Sequence, residues 1–107
     1  AEFLGLDNIR LFKGDFLSTM KFERPEDDGK NFMAALLDCD LYESYKTSLD
    51  FIWPRLVCGG YIFLDEYYSL KFPGARIAVD EFFEQRSQKP QMHDRVPRDF
   101  ERWFVRK

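Results

Sequence analysis

The sequence predicts an α/β layered domain with a mainly parallel sheet. Three observations carry this. Two short, continuously apolar runs, "FMAALLD" (32 to 38) and "YIFLD" (61 to 65), read as strands buried on both faces. The segments after each of them switch to apolar residues at three- and four-residue steps, as helices packed on a sheet do. Each apolar run also ends in carboxylates, at the end of the strand where ligands gather in open α/β sheets.

Taken in order, "AEFLGL" reads as the end of a helix with Gly5 as its C-cap, and so as a cut from a longer chain. "NIRLFKGDF" (8 to 16) predicts a strand entering a loop at Gly14. "KFERPEDDGKN" (21 to 31) is a polar connection punctuated by Pro25 and Gly29. After the first buried strand, Leu41, Tyr45, Leu49, Ile52, Trp53 and Leu56 form one apolar helical face. Asp40 and Glu43 are spaced as a capping box at its start. Pro54 kinks or loosens the last turn, and Gly59 and Gly60 stop the helix. Pro73 opens a further helix with Ala75, Ala78, Val79 and Phe82 on its inner stripe. Weaker strands follow near 92 to 96 and 101 to 105.

At 107 residues, with 45% apolar and 18% aromatic content, the chain makes one folded domain with a modest core. The net charge of −3 and pI near 5.2 argue against a nucleic-acid surface, which needs a basic field. Residues 86 to 107 are locally basic, with seven Lys/Arg against three Asp/Glu, and read as a solvated terminal segment. Cys39 and Cys58 lack CxxC spacing, and His93 is the only histidine, so neither a zinc site nor a disulfide framework is expected. A reduced, cytoplasmic setting is the default. No apolar run approaches the ~20 residues that span a bilayer, so no membrane partner is expected.

The acids carry the chemistry. Asp15 follows the first strand, Asp38 and Asp40 the second, and Asp65 and Glu66 the third. If the second and third strands are neighbours, Asp38, Asp65 and Glu66 converge, and three close carboxylates repel unless a proton or a cation intervenes. An all-oxygen ligand set selects a hard divalent ion, with Mg²⁺ the natural occupant. Beside this stand plainer roles: Asp40 as a helix cap, Asp15 as a turn residue, and Tyr42, Tyr67 and Tyr68 as packing residues with wet hydroxyls.

The runs "DCDLYESYKTSLDFIWPRLVCGGYIFLDEYY", "FPGARIAVDEFFEQ" and "ERWFVRK" resemble the macrocin O-methyltransferase family, within the Rossmann-like enzymes that use S-adenosylmethionine. The resemblance implies that Asp38, Asp65 and Glu66 hold Mg²⁺ against an acceptor hydroxyl and that Asp40 is the general base. It implies that Asp15, framed by Gly14 and Phe16 in "KGDF", accepts a hydrogen bond from the adenine of the cofactor, with Asp38 also at the cofactor site. The implied substrate is a small-molecule hydroxyl, typically on the sugar of a natural product. Glu66 stands where the family usually has Asp, and Cys58 where it usually has Pro.

No Gly-rich GxGxG loop occurs in the chain, so the implied fold is a Rossmann-like methyltransferase sheet lacking its N-terminal strand-loop-helix unit. Residues 1 to 107 are then expected to be the C-terminal part of a methyltransferase domain. Its open sheet edges imply that alone it binds cofactor poorly or pairs into a homo-oligomer. Two other readings compete: a metal-dependent glycosyltransferase-like domain built on the Asp-x-Asp, and a non-catalytic fold acting as an assembly partner.

Overall fold

The computed structural model describes residues 4–21 and 29–107; the start of the expected N-terminal helix end and most of the polar 21–31 connection lie outside them. Among the described residues, four strands and three helices occur in the order α1 (Phe16–Thr19), β1 (Phe32–Leu37), α2 (Tyr42–Ile52), β2 (Leu56–Leu64), α3 (Pro73–Phe83), β3 (Gln91–Met92) and β4 (Trp103–Arg106). A 3₁₀ turn, Trp53–Arg55, joins α2 to β2. It falls where Pro54, which has no N–H to give, was expected to loosen the helix.

The sheet runs β1-β2-β4-β3. β1 and β2 are parallel, whereas β2 with β4 and β3 with β4 are antiparallel. The sheet is therefore mixed, and the expectation of a mainly parallel one is corrected. Only the connection through α2 is a crossover between neighbouring parallel strands; β4 enters beside β2 from the opposite direction.

Helices α2 and α3 cover one face. Tyr45, Leu49 and Ile52 from α2, Ala75, Ala78, Val79 and Phe83 from α3, and Leu37, Ile62, Leu64 and Val105 from the sheet form the buried core. Phe83 replaces the expected Phe82, which is half-buried and sets its ring against Trp53. The helices meet closely at their starts, where Gly74 lies against Tyr42. A Cβ on Gly74 would stand 3.0 Å from the Cβ of Tyr42 and 3.1 Å from its backbone nitrogen. The last turns are closed by lysines: Lys107 Nζ donates to the carbonyls of Trp53 and Leu56, and Lys89 Nζ to those of Phe83 and Glu84.

The opposite face is open within the chain. Met33, Leu36 and Phe63 remain 79%, 65% and 41% exposed, so "FMAALL" is buried on one side only. A continuous apolar run marks a strand made for two covered faces, and these helices supply one cover.

Two further expectations change. Residues 8 to 16 form no strand: Ile9, Leu11 and Phe12 are exposed and no sheet ladder includes them, while Phe16 begins α1. A strand sequence without an adjacent edge has nothing to satisfy its N–H and C=O groups in a ladder. Gly59 and Gly60 do not end a helix but lie inside β2, whose register against β1 shifts between Phe32 and Ala34. Gly60 is required there, because a Cβ would come within 2.9 Å of the carbonyls of Met33 and Val57. The two C-terminal strands are present, shortened to Gln91–Met92 and shifted to Trp103–Arg106.

Candidate active site at the ends of two parallel strands

Parallel pairing in register brings the carboxyl ends of β1 and β2 side by side. Leu37 pairs with Leu64, and the Asp65 N–H extends the ladder by donating to Leu37 O at 3.0 Å. The residues that follow each strand therefore open onto one space. There Asp38, Asp40 and Glu66 each offer a carboxylate oxygen, and these oxygens lie within 4.8 Å of one another.

Asp65, expected among the ligands, is not part of this group. It is exposed, and it adjoins Leu64 and Glu66, both buried toward the helices. Both acids lie in the turn that follows β2, where Glu66 is buried and Asp65 stays exposed. Asp40 takes the third place.

Asp40 is freed for this by its backbone. It adopts a left-handed conformation, φ 60°, and the Leu41 N–H donates to Cys39 O at 2.6 Å, closing a three-residue turn around it. Leu41, not Asp40, is the N-cap residue of α2, and no side chain caps that helix. The expected capping box is thus absent and its acid is released from capping. Asp tolerates the left-handed region better than most residues, but still at a cost of order 1 kcal/mol, and such strain is characteristic of functional sites.

Glu66 is the buried member, 4% exposed. The Tyr45 hydroxyl donates to its Oε2, and the Glu66 backbone N–H donates to the Tyr45 oxygen at 3.2 Å. Oε1 is buried without a partner. Burial raises the Glu66 pKa above its ordinary value; contact with Asp38 and the charge of Asp65 raise it further, and the Tyr45 bond opposes them. An orphaned carboxylate oxygen in a group with two more carboxylates is a strong acceptor that a cation would satisfy. The donor set, all hard oxygen, fits Mg²⁺ or a similar divalent ion.

Cys39, between the two aspartates, is no competing nucleophile. Burial first, and the neighbouring carboxylates after it, push its thiol up to about 12, so it stays protonated at neutral pH.

Asp15 is not part of this group; it stands just before α1. Its carboxylate accepts from the Ser18 N–H at 2.8 Å and from the Ser18 hydroxyl at 3.1 Å, making it the N-cap of that turn. These bonds hold its carboxyl below the usual range. Gly14 precedes it at φ 139° and Phe16 starts the helix, so the "KGDF" segment forms a capped turn. His93 packs its ring against Phe104, a structural place.

Tyr45 was missed as a site residue. In sequence it is one member of an apolar helical stripe, and only the helix's placement over the strand ends shows its hydroxyl reaching Glu66. Tyr42 and Tyr67, expected as packing residues, also tether elements, donating to Glu81 at 2.7 Å and Asp80 at 2.6 Å on α3.

A mixed sheet with one helix crossing over between parallel strands, and acids gathered at the strand ends, is the arrangement in which α/β folds gather ligands. Comparison with known proteins narrows it. The family model of macrocin O-methyltransferase (TylF) matches residues 2–97, and the chain belongs to that family. Among solved structures, the calicheamicin methyltransferase CalS11 is similar with a TM-score of 0.73 and 26% identity, over 88% of this chain and 35% of that one. Its apo form, described as a TDP-rhamnose 3'-O-methyltransferase, gives a TM-score of 0.63 and 27% identity, over 76% and 33%. The O-methyltransferase NovP shares the fold, with a TM-score of 0.59 and 24% identity over 73% and 30%. The chain thus spans about a third of the length of these proteins. No curated protein sequence matches it. Membership in this family sets aside the glycosyltransferase-like alternative.

Among the described residues, no helix is long and apolar enough to cross a membrane.

Proposed function

We propose that the chain is the C-terminal, metal- and acceptor-binding part of an S-adenosylmethionine-dependent O-methyltransferase acting on a hydroxyl of a sugar. The observation that carries this is the convergence of Asp38, Asp40 and Glu66 around an unpartnered buried oxygen at adjacent strand ends. Family membership supports methyl transfer, and the description of CalS11 as acting on TDP-rhamnose supports a sugar acceptor.

Asp38 and Glu66 would hold the divalent ion, leaving other positions to water and the acceptor. Bound there, the ion would lower the pKa of the acceptor hydroxyl, while the cofactor would present its sulfonium methyl. Asp40, at the same centre and free of a cap, would take the hydroxyl proton as the methyl passes to the oxygen and its bond to sulfur breaks, leaving the cofactor as a neutral thioether, a contribution of roughly 10²–10⁴-fold. Tyr45 would fix the Glu66 carboxylate in place, and the protonated Cys39 would not divert the methyl group. Asp15 remains the residue we assign to the adenine, in competition with its cap. The acceptor's oxygen must be held in line with the methyl, and orientation by this rigid floor would supply several kcal/mol.

The test is methyl transfer to a rhamnoside by the complete protein, wild type against Asp40→Asn. Loss of about 10²-fold or more in kcat, with transfer abolished by EDTA, is expected. Transfer that is unchanged by the substitution and indifferent to EDTA overturns the reading.

A further inference from the structure

Glu66 has two carboxylate oxygens, and the fold has already engaged one of them. Tyr45, fully buried on α2, donates its hydroxyl to Oε2 and accepts from the Glu66 N–H at 3.2 Å. The same hydroxyl lies 3.0 Å from Leu37 O, so the end of β1 and the acid beyond β2 are tied to one atom. Among the described residues, Oε1 has no partner. A cation among the carboxylates of Asp38, Asp40 and Glu66 therefore finds one oxygen of Glu66 to take, not two.

That count separates the hard divalent ions. Ca²⁺ gathers about 6–8 oxygens at about 2.3–2.6 Å and readily takes both oxygens of one carboxylate. Mg²⁺ is smaller, demands an octahedron of oxygens at about 2.0–2.1 Å, and sits on one or two carboxylates with water filling other positions. To grip an ion with both oxygens, Glu66 would have to turn Oε2 away from the Tyr45 hydroxyl, in a part of the core where no solvent replaces the lost bond. On the other side of the centre, the bond from the Leu41 N–H to Cys39 O closes the turn next to Asp38 and limits how far that segment opens for a larger ion.

We propose that Tyr45 is an ion-selecting residue: by holding Oε2 it restricts Glu66 to one oxygen and biases the centre toward Mg²⁺ and against Ca²⁺. This rests on the cation centre proposed above and gives Tyr45 a task beyond the stability of the fold. It acts through Glu66, as a positioning residue.

The test is calorimetric titration of the chain with MgCl₂ and, separately, with CaCl₂, wild type beside Tyr45→Phe and Glu66→Asp. Glu66→Asp keeps a carboxylate but, one methylene shorter, draws it back from the hydroxyl, and so probes the same contact with the tyrosine in place. In each variant the ratio of Ca²⁺ to Mg²⁺ affinity is expected to rise about tenfold over wild type. A purely structural tyrosine would weaken both ions alike and leave the ratio where it was. If Tyr45→Phe does not fold, the ratio in Glu66→Asp decides. An unchanged ratio in either folded variant, with Mg²⁺ bound by wild type, overturns the selecting role and leaves the cation centre standing; a wild-type chain that binds neither ion overturns both.

Discussion

The hydroxyl of Tyr45 donates to Oε2 of Glu66 while the backbone N–H of Glu66 donates back to the same hydroxyl oxygen. One tyrosine on α2 thereby fixes a buried acid at the end of β2 and leaves its other oxygen without a partner. Helix packing and the chemistry of the site meet at this contact.

Tyr45→Phe tests that contact by removing one oxygen and nothing else. The Glu66 N–H and carboxylate would lose a partner inside the protein, and each unsatisfied buried group costs about 1–3 kcal/mol. Urea denaturation should show a loss of roughly 2–4 kcal/mol for the pair. Tyr42→Phe, whose bond to Glu81 is exposed, should cost less than about 1 kcal/mol. Equal losses in the two variants would contradict the buried role of Tyr45.

Glu66 governs the pH dependence. Its pKa is raised from 4.5 in the folded chain, so between the unfolded and folded values the native state binds more protons than the unfolded one. Stability therefore falls as pH rises through that window, with the deficit complete above the folded value. Glu66→Gln should remove this contribution and make the metal-free chain more stable than wild type at pH 8 but not at pH 4. Denaturation at the two pH values checks this; a variant less stable at both would show that the burial of Glu66 is not the dominant strain.

Much of the fold was legible in the residues. The two parallel strands, the stripe on α3 and the disturbance at Pro54 follow from periodicity and from missing N–H groups, which are local properties. Partners supplied by distant chain were not legible. "NIRLF" has the composition of a strand but no edge beside it, and β4 shows its antiparallel direction only through its pairing with β2. At the candidate site, "DCD" and "DE" pointed to the strand ends where Asp38, Asp40 and Glu66 converge. Their spacing could not tell that a turn at φ 60° would release Asp40, or that Asp40 and not Asp65 would join Asp38 and Glu66.

Asp40 pits stability against function. Glycine accepts φ 60° without the Cβ penalty, so Asp40→Gly should keep or raise stability, by up to about 1 kcal/mol, while methyl transfer by the complete protein falls about 10²-fold or more. Thermal denaturation and a turnover assay give the two readouts. A destabilised variant with intact turnover would reverse the assignment, making Asp40 structural.

The most direct measurement is calorimetric titration of the chain with Mg²⁺ at pH 8, wild type beside Asp38→Ala and Glu66→Gln. One ion bound per chain, with affinity reduced at least tenfold in each variant, is the predicted result. No binding by wild type, or binding that survives both substitutions unchanged, would contradict a cation centre at the ends of β1 and β2.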